Sequence, residues 1–188
     1  METEVILTSR DNAYIIGNLW RLYLYDLAEF EGALPNIHGL FEENDVRIYD
    51  DRADRGIWWE KPGLLFPYLI RADGHAAGFA MVGASPGHAP KGRDYFLHEL
   101  FLARPFRAKG IGEAAVRQIF DDHPGLWELR AMLNNPRAQG FWRKALGRYT
   151  AGRFEEEERY VEEEDAMKVV FTFSNRASDP LSKERAIS

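Results

Sequence analysis

The chain has 188 residues, of which 45% are apolar and 29% are charged, with a formal net charge of −6 and no cysteine. That length suits one well-buried domain. The acidic balance argues against a general nucleic-acid binder, which needs a basic face, and the lack of cysteine excludes thiolate nucleophiles, disulfides and thiolate zinc sites. The sequence shows no apolar run near the ~20 residues of a membrane span and no basic, apolar leader. We therefore predict a cytoplasmic protein that binds neither nucleic acid nor membrane.

A strand and a long helix come first along the chain. Residues 5–9 form a β-branched run that predicts a strand. Apolar residues recur at helical spacing across residues 13–31, which predicts an amphipathic helix. The short side chain of Asp11 or Asn12 is suited to cap its first turn.

Three strands in a meander are predicted next. Residues 63–72 and 76–84 are strand-like runs joined by Asp73-Gly74, a dipeptide typical of tight hairpins. After a loop over residues 85–94, residues 95–103 predict the third strand.

The second half of the chain alternates helices and strands. We predict a helix over residues 110–121, a strand over 126–133 and a second helix over 136–146, where a proline in the first turn loses no hydrogen bond. Two more strands are expected within residues 149–160 and 167–173.

This order of elements predicts an α+β fold, with a mixed, mostly antiparallel twisted sheet of about six to seven strands and flanking helices. We expect residues 1–173 to form a single domain. Residues 174–188 carry few apolar side chains, and we expect them to form a flexible C-terminal tail.

The segment Arg107-Ala108-Lys109-Gly110-Ile111-Gly112 places two glycines and two basic residues at the start of a predicted helix. The first backbone N–H groups of a helix lack intrahelical partners and face the positive end of its dipole, where a diphosphate binds well. Glycine lets the backbone approach such a group closely, and the Arg107 and Lys109 side chains would add charge-assisted contacts.

Two other phosphate-binding motifs fit this segment less well. A P-loop needs four residues between its glycines and a Gly-Lys-Ser/Thr ending, and neither is present. Residues 110–115 match the G-x-G-x-x-A dinucleotide fingerprint, with Glu128 at the next strand. Residues 104–109 separate these glycines from the preceding strand, however, and that strand belongs to an antiparallel meander. A dinucleotide-binding oxidoreductase is therefore the weaker alternative.

Residues 107–112 resemble the (Gln/Arg)-x-x-Gly-x-(Gly/Ala) signature of the GNAT family of N-acetyltransferases. A strand ending in Leu100-Phe101-Leu102 lies just upstream, as it does in that family. Downstream, WELRAMLNNPRAQGFWRKALG (residues 127–147) is similar to the family's strand followed by Asn-x-x-Ala and a helix with an aromatic residue, Lys and Leu-Gly. The likeness covers residues 63–150 well, and the order of elements extends it over most of the chain.

The resemblance implies an acyl-CoA N-acyltransferase fold, in which two central parallel strands splay and the pantetheine arm of acetyl-CoA completes the pairing between them. Backbone groups of residues 100–102 would contact that arm, and those of residues 107–112 the pyrophosphate. Asn135 would hydrogen-bond the arm, and a role as a turn residue is compatible with this contact. The implied cofactor contacts are Leu100, Phe101, Leu102, Arg107, Ala108, Lys109, Gly110, Ile111, Gly112, Asn135 and Trp142.

By this resemblance the chain transfers an acetyl group from acetyl-CoA, its acyl-donor co-substrate, to a primary amine. An amine at neutral pH is mostly ammonium, so a base must remove a proton before the amine attacks the thioester. Attack creates an oxyanion that backbone N–H groups stabilise, and the CoA thiolate then leaves. Direct transfer in a ternary complex needs no covalent enzyme intermediate, which agrees with the lack of cysteine.

His98 and Glu99 are the candidate bases, on the strand beside the implied thioester. Alternation along a strand places their side chains on opposite faces, so at most one faces a given pocket. Family members often carry a glutamate about here, and we favour Glu99. The alternatives are a hydrogen-bonded structural histidine and a glutamate that is solvated or paired with arginine.

The candidate acid departs from the family pattern. Many relatives place a tyrosine near the end of the last helix, where this chain has Trp142. An indole N–H donates a hydrogen bond but delivers no proton at neutral pH. Tyr149 or solvent would then protonate the thiolate, or the step needs no acid. Trp142 itself is expected to be a core aromatic residue or to pack on pantetheine.

Acidic residues near the Trp58-Trp59 pair indicate the charge of the molecule that accepts the acetyl group. Carboxylates beside aromatic faces suit a small cationic molecule or a cationic peptide, although a solvated acidic surface explains them as well. These acids are Glu29, Glu31, Glu42, Glu43, Asp45, Asp50, Asp51 and Asp54.

Three further expectations concern metals, assembly and function. The 5 histidines show no paired metal-ligand spacing, so we predict no metal. A homodimer is one option for the assembly. The main functional alternative is a non-catalytic acyl-CoA-binding or regulatory domain on the same fold, because Trp142 replaces the family's tyrosine.

Overall fold

The computed structural model describes residues 1–41 and 56–176 of the chain. In this part the helices are α1 (Ala13–Glu31), α2 (Ile111–Asp122) and α3 (Pro136–Tyr149). The strands are β1 (Thr3–Leu7), β2 (Leu65–Ala72), β3 (His75–Ala84), β4 (Tyr95–Leu102), β5 (Leu126–Met132), β6 (Glu155–Val161) and β7 (Ala166–Ser174). Each predicted helix and strand is therefore present, in the predicted order.

The seven strands form one sheet in the order β1-β2-β3-β4-β5-β7-β6. β4 and β5 are neighbours and run parallel, with Tyr95 opposite Trp127 and Leu97 opposite Leu129. The other neighbouring pairs are antiparallel. The prediction of a mixed, mostly antiparallel sheet with a central parallel pair is confirmed.

Three predicted elements have boundaries that shift by two or three residues, and one of them, β2, begins at Leu65 rather than at residue 63. β1 covers Thr3–Leu7 rather than residues 5–9, because the chain turns directly after it into a 3-10 turn that precedes α1. α3 continues to Tyr149 rather than ending at residue 146. Gly147 stays helical, and the Thr150 N–H closes the last turn by donating to the Leu146 carbonyl at 2.9 Å.

The two local turn signals have different outcomes. Asp73-Gly74 joins β2 to β3 as predicted, and both residues have positive φ, 47° and 77°, which is the backbone of a tight hairpin turn. Asn12 occupies the position before α1, but its side chain makes no capping hydrogen bond. Of the two side chains predicted as possible caps, Asp11 and Asn12, Asn12 therefore does not cap the helix.

Contacts divide the chain into two compact units, and the first combines Met1–Val82 with Glu99–Ala115. Its core is a buried apolar cluster to which α1, β2, β3 and β4 all contribute. The amphipathic pattern of α1 explains its share, because residues three apart lie on one helix face. The cluster consists of Ile16, Leu19, Leu69, Phe79, Met81 and Phe101.

The second unit combines Gly83–His98 with Val116–Ser188, and its core is aromatic. The ring of Phe120 on α2 lies 4.8 Å from those of Trp127 on β5 and Phe173 on β7, measured between centroids. All three side chains are buried. This packing fixes α2 against β5 and β7 within the unit.

A buried carboxylate also lies in the second unit. Glu128 of β5 is 1% exposed. Its oxygens accept hydrogen bonds from Arg130 at 2.8 Å, Arg159 at 3.1 Å and Arg93 at 3.3 Å. A buried charge needs such partners, because leaving it unpaired is costly. Glu128, which the dinucleotide alternative requires as an accessible acid, is thus occupied by protein groups.

The start of the predicted tail is held by the second unit. The Asn175 side chain accepts from the Gly125 N–H at 2.7 Å, and Arg176 donates to Asp94 at 2.7 Å. Residues 177–188 lie outside the described residues, and the single domain over residues 1–173 stays a prediction. No helix in the described ranges has both the length and the apolar run needed to cross a bilayer.

Replacing Glu128 with alanine is expected to destabilise the protein by about 3 kcal/mol, because Arg130, whose side chain is 10% exposed, loses its buried carboxylate partner and the half-buried Arg93 and Arg159 lose theirs. Urea denaturation followed by tryptophan fluorescence measures the loss. Glu157→Ala on β6 is the control: its side chain is 56% exposed and lies 3.5 Å from Arg159, so its loss should cost less than about 0.5 kcal/mol. Equal losses for the two variants would contradict the structural role of Glu128.

Stability is also expected to fall as the pH drops below 6.5. Burial of the imidazole lowers the pKa of His123 below its ordinary value of 6.5, so the unfolded chain takes up this proton first. The contribution is complete above the unfolded pKa and is lost as the pH falls through the lowered folded pKa. His123→Gln should flatten the fall in unfolding free energy, measured by urea denaturation at several pH values, whereas His75→Gln on the exposed hairpin should not. An unchanged pH slope in His123→Gln would exclude this residue as the source.

Candidate functional site

The glycine loop, residues 107–112, leaves β4 through the 3-10 turn Arg104–Phe106 and enters α2. Two of its residues have a left-handed backbone, Ala108 with φ of 58° and Gly110 with φ of 81°. Glycine adopts this conformation freely, whereas for alanine it costs roughly 1–2 kcal/mol. Ile111, only 2% exposed, anchors the helix end of the loop.

The backbone N–H groups in the middle of the glycine loop have no acceptor in the described part of the chain. On one side the Arg107 N–H donates to the Arg104 carbonyl at 3.2 Å, and on the other the Ala114 N–H donates to the Gly110 carbonyl at 3.0 Å. Between them, the N–H groups of residues 108–112 donate to no acceptor within residues 1–41 and 56–176. A Cβ added at Gly110 would meet no atom of the described residues within 4 Å. Unpaired N–H groups beside open space at a helix start are suited to bind an anion.

The Arg107 side chain turns back toward the protein. Its Nε donates to the Leu102 carbonyl at 2.6 Å, and its Nη2 donates to the Asp26 carboxylate of α1. The guanidinium carbon lies 5.5 Å from the centroid of the Phe101 ring. The guanidinium that was expected to contact phosphate is therefore engaged by three protein groups.

The two other basic residues near the glycine loop differ from each other. Arg104 donates to Asp26 through Nε at 3.2 Å and Nη2 at 3.0 Å. Lys109 is exposed. Of the two basic residues predicted to contact phosphate, Lys109 is the more accessible.

The carbonyl groups of Phe101 and Leu102, at the end of β4, are in close contact with other parts of the protein. The Phe101 carbonyl oxygen lies so close to Gly78 of β3 that a Cβ there would come within 2.0 Å of it. The Leu102 carbonyl accepts from Arg107 at 2.6 Å. Phe101 is 4% exposed, so its side chain belongs to the core, while Leu100 is half-buried.

Glu99 of β4 is half-buried and accepts a hydrogen bond from the Tyr23 hydroxyl of α1. Tyr23 belongs to an aromatic cluster, with its ring centroid 5.3 Å from Trp20, 5.8 Å from Phe79 and 6.0 Å from Phe101. Such edge-to-face packing holds a ring in one orientation. The aromatic cluster therefore fixes the direction of the hydroxyl that holds the Glu99 carboxylate.

His98 is the other candidate base, and its ring is tied to the backbone. Its Nε2 lies 3.0 Å from the His88 carbonyl oxygen, and because a carbonyl only accepts, Nε2 carries the proton. Gly83 of β3 makes this contact possible, since a Cβ there would lie 2.6 Å from Nε2. Desolvation of the imidazole lowers the pKa of His98 below its ordinary value of 6.5. The geometry is that of a hydrogen-bonded structural histidine.

Asn135 caps α3. Its Oδ1 accepts from the Ala138 N–H at 3.0 Å, and its backbone N–H donates to the Met132 carbonyl at 3.1 Å. Its Nδ2 donates to no residue in the described part of the chain, so capping leaves one donor for a ligand. One turn later, Gln139 donates to the Met132 and Leu133 carbonyls, both at 2.9 Å.

Trp142 and Tyr149, both on α3, are engaged by the second unit. Trp142 is 6% exposed, which matches a core aromatic residue. The Tyr149 hydroxyl donates to Asp121 at 2.8 Å and accepts from Asn175 at 3.2 Å. Burial, together with the hydrogen bond to Asp121, raises the pKa of Tyr149 to about 12. The hydroxyl therefore holds its proton more tightly than an ordinary tyrosine.

The predicted acceptor region is described only in part. Glu29 and Glu31 are exposed on α1. Trp58 and Trp59 pack against the core of the first unit, and the Trp59 indole N–H donates to Thr8 at 3.0 Å. The remaining predicted acids lie outside the described residues: Glu42, Glu43, Asp45, Asp50, Asp51 and Asp54. No group of three or more His, Asp or Glu side chains in the described ranges is placed to hold a metal ion.

Sequence reasoning missed the α1 side chains that orient the loop and the candidate base. The helical pattern places Tyr23 on the apolar face of α1, and Asp26 follows three residues later on the same face. An acid among apolar residues signals a paired carboxylate. Its partner Arg107 is 81 residues away in sequence, so spacing alone does not identify it.

Comparison with known proteins identifies the family to which this chain belongs. The model of the acetyltransferase (GNAT) family matches residues 30–147, which is more than half of the chain. No curated protein matches the sequence.

Solved structures of similar fold include three acetyltransferases. One is described as histone acetyltransferase HPA2 and related acetyltransferase from Corynebacterium glutamicum, with 15% identity and a TM-score of 0.65 over 95% of this chain and 99% of that one. PaiA N-acetyltransferase from Thermoplasma acidophilum, in complex with coenzyme A, has 13% identity and a TM-score of 0.61 over 93% and 99%. Aminoglycoside acetyltransferase AAC(6')-Ib, also with coenzyme A, has 15% identity and a TM-score of 0.58 over 93% and 95%. These likenesses confirm the fold, and the family match shows that the chain belongs to the GNAT family of acetyltransferases.

Proposed function

We propose that this chain is an acetyl-CoA-dependent N-acetyltransferase that acetylates a primary amine of a small cationic molecule or peptide by direct attack in a ternary complex. The proposal is carried by the N–H groups of residues 108–112, which are unpaired within the described ranges, in a member of the GNAT family. Two acetyltransferases of similar fold were solved with coenzyme A, which supports an acyl-CoA donor.

The glycine loop would hold the pyrophosphate of acetyl-CoA. Its unpaired N–H groups lie at the positive end of the α2 dipole, and each would donate a charge-assisted hydrogen bond to a phosphate oxygen. The open space at Gly110 allows the close approach that such bonds require. The exposed Lys109 ammonium would add an attractive charge. Asn135 stays a predicted contact of the cofactor arm through its Nδ2.

We assign the general base to Glu99. Acetyl-CoA supplies the activated acetyl thioester, and the residue's task is to accept the proton that the acceptor ammonium must lose. Tyr23 donates to the carboxylate and so holds it in one orientation. His98 is less suited, because its Nε2–H is committed to the His88 carbonyl at 3.0 Å.

We propose that solvent, rather than Tyr149, provides the proton that the CoA thiolate takes up. The Tyr149 hydroxyl donates to Asp121 at 2.8 Å, and burial raises the pKa of Tyr149 to about 12. Both features make it a weaker acid than an ordinary tyrosine.

A cationic acceptor agrees with the charge of the chain. The formal net charge is −6, and the exposed acids Glu29 and Glu31 lie on α1. Such a surface attracts cations and raises their association rate. A polyamine, an aminoglycoside-like amine or a lysine-bearing peptide fits this description.

One observation favours a second candidate, a non-catalytic acyl-CoA-binding domain. Trp142 takes the place of the tyrosine found in many relatives and is buried, while the Tyr149 hydroxyl is bound to Asp121. Turnover separates the two candidates. Because the chain has no cysteine, a thiol reagent such as DTNB reports released CoA without background from the protein.

Gly110→Val is expected to weaken acetyl-CoA binding at least about tenfold, because the side chain enters the space beside the unpaired N–H groups and disfavours the left-handed backbone. Isothermal titration calorimetry measures the affinity. Gly152→Val is a matched control, since Gly152 has the same φ of 81° and also has nothing within 4 Å, but lies after α3. Wild-type protein that fails to bind acetyl-CoA at high micromolar concentration would overturn the proposed function.

Glu99→Gln is expected to lower kcat by roughly 100-fold or more with little change in KM for acetyl-CoA, because the amide still accepts from Tyr23 but takes up no proton. The assay is CoA release with a panel of polyamines and lysine-bearing peptides. His98→Gln should cost less, since the amide N–H replaces Nε2–H toward the His88 carbonyl. The opposite ranking would move the base to His98, and binding without release for every amine would favour the non-catalytic domain.

A further inference from the structure

One carboxylate on α1 holds both arginines at the start of the glycine loop. Asp26 Oδ1 accepts from Arg104 at 3.0 and 3.2 Å, and Oδ2 accepts from Arg107. The Asp26 side chain is 17% exposed, that of Arg107 is 38% exposed and that of Arg104 is 66% exposed. The pair with Arg107 is therefore the better shielded of the two, and shielding strengthens an ion pair.

Arg107 also binds the backbone before and within the 3-10 turn Arg104–Phe106, so its ion pair with Asp26 is connected to that turn. Its Nε donates to the Leu102 carbonyl at 2.6 Å, and its own N–H donates to the Arg104 carbonyl at 3.2 Å. Its guanidinium lies over the buried Phe101 ring, 5.5 Å from the centroid. The position at which the chain leaves β4 is thus tied to α1 through one side chain.

The glycine loop needs such an anchor because its backbone is strained. Ala108, directly after Arg107, has φ of 58°, a conformation that non-glycine residues keep only where their surroundings enforce it. Among the residues that the structure describes, no acceptor holds the N–H groups that follow. Backbone hydrogen bonds of Ala103 and Phe106 fix the chain just before the loop, and the contacts on Arg107 hold the first residue of the loop itself.

We propose that Asp26 is a positioning residue for acetyl-CoA binding, which acts through Arg107 to hold the glycine loop in its anion-binding conformation without touching the cofactor. This inference rests on the proposed function of the loop. It extends the cofactor site to a helix that lies more than 80 residues earlier in the chain, since Asp26 and Arg107 are 81 residues apart.

Whether removal of the Asp26 carboxylate weakens or tightens acetyl-CoA binding distinguishes a positioning role from a purely electrostatic effect. Coenzyme A is a polyanion, so removing a nearby carboxylate should tighten its binding if only charge matters. Binding should tighten further if Asp26 merely competes with phosphate for the two arginines. A positioning role predicts the reverse, weaker binding, because the loop N–H groups lose their alignment.

The test compares Asp26→Asn and Asp26→Ala with the wild-type full chain. We expect acetyl-CoA affinity, measured by calorimetry, to fall about tenfold, and KM for acetyl-CoA to rise in parallel while kcat stays within about twofold. Asp26→Asn combined with Arg107→Gln should bind no more weakly than Arg107→Gln alone, because both changes break the same contact. Affinity equal to or tighter than wild type in both Asp26 variants would overturn the proposal.

Glu60→Gln is the matched control for charge. Glu60 pairs with Arg10 at 2.8 Å, and both side chains are more than half exposed, at 59% and 57%. The variant also removes one carboxylate from an arginine pair, but far along the chain from the glycine loop, so its affinity should equal that of the wild type. A loss like that of Asp26→Asn would show a general charge effect and overturn the positioning role.

Limited trypsin digestion of the ligand-free protein separates failure of this inference from failure of the proposed function. Cleavage after Arg107 and Lys109, followed by mass spectrometry, should be about fivefold faster in Asp26→Asn, because local proteolysis tracks the open population of a loop. An unchanged cleavage rate would overturn the positioning role. Wild-type protein that binds no acetyl-CoA while Asp26→Asn still loosens the loop would overturn the proposed function and leave the positioning of the loop supported.

Discussion

The backbone between β4 and α2 is the constraint on which the site depends. The N–H groups of residues 108–112 have no acceptor among residues 1–41 and 56–176, and Ala108 and Gly110 in this stretch adopt positive φ. An anion site built from main-chain donors places few demands on side-chain identity. Such a site requires a particular backbone conformation instead, and a strained conformation persists only where contacts with the rest of the protein hold it.

Those contacts come from one face of α1. Tyr23 and Asp26 are three residues apart, so they lie side by side on the helix. Tyr23 binds Glu99, and Asp26 binds Arg107. The same face packs into the aromatic cluster through Trp20, whose ring stacks on Phe79 at 5.3 Å. A helix that forms the core of the first unit thus also orients the candidate base and the glycine loop.

Local signals in the sequence were enough for the elements and for the loop. The helical period fixed α1 at both ends, Asp73-Gly74 marked the hairpin, and the glycines marked the start of α2. Local signals could not identify the hydrogen-bond partners of the candidate side chains, because these partners are distant in sequence. Glu99, for example, binds Tyr23, which lies 76 residues earlier. Strand alternation placed His98 and Glu99 on opposite faces but could not rank them. Their environments differ, since His98 is bound to a backbone carbonyl and Glu99 to a hydroxyl on α1, and the proposed choice of Glu99 rests on this difference.

The proposed reaction assigns a side chain as the general base but none as the general acid. This difference follows from the pKa values of the reacting groups. A primary amine with a pKa of ~10.4 is almost wholly ammonium at neutral pH, so its attack depends on a group that takes the proton. A thiol has a pKa of ~8.5, so its thiolate is a tolerable leaving group and is protonated by water soon after departure. In the proposed reaction, Glu99, which accepts a hydrogen bond from Tyr23, would take part in the harder of the two proton transfers. A buried Trp142 and a Tyr149 bound to Asp121 are acceptable where a catalytic acid would add little.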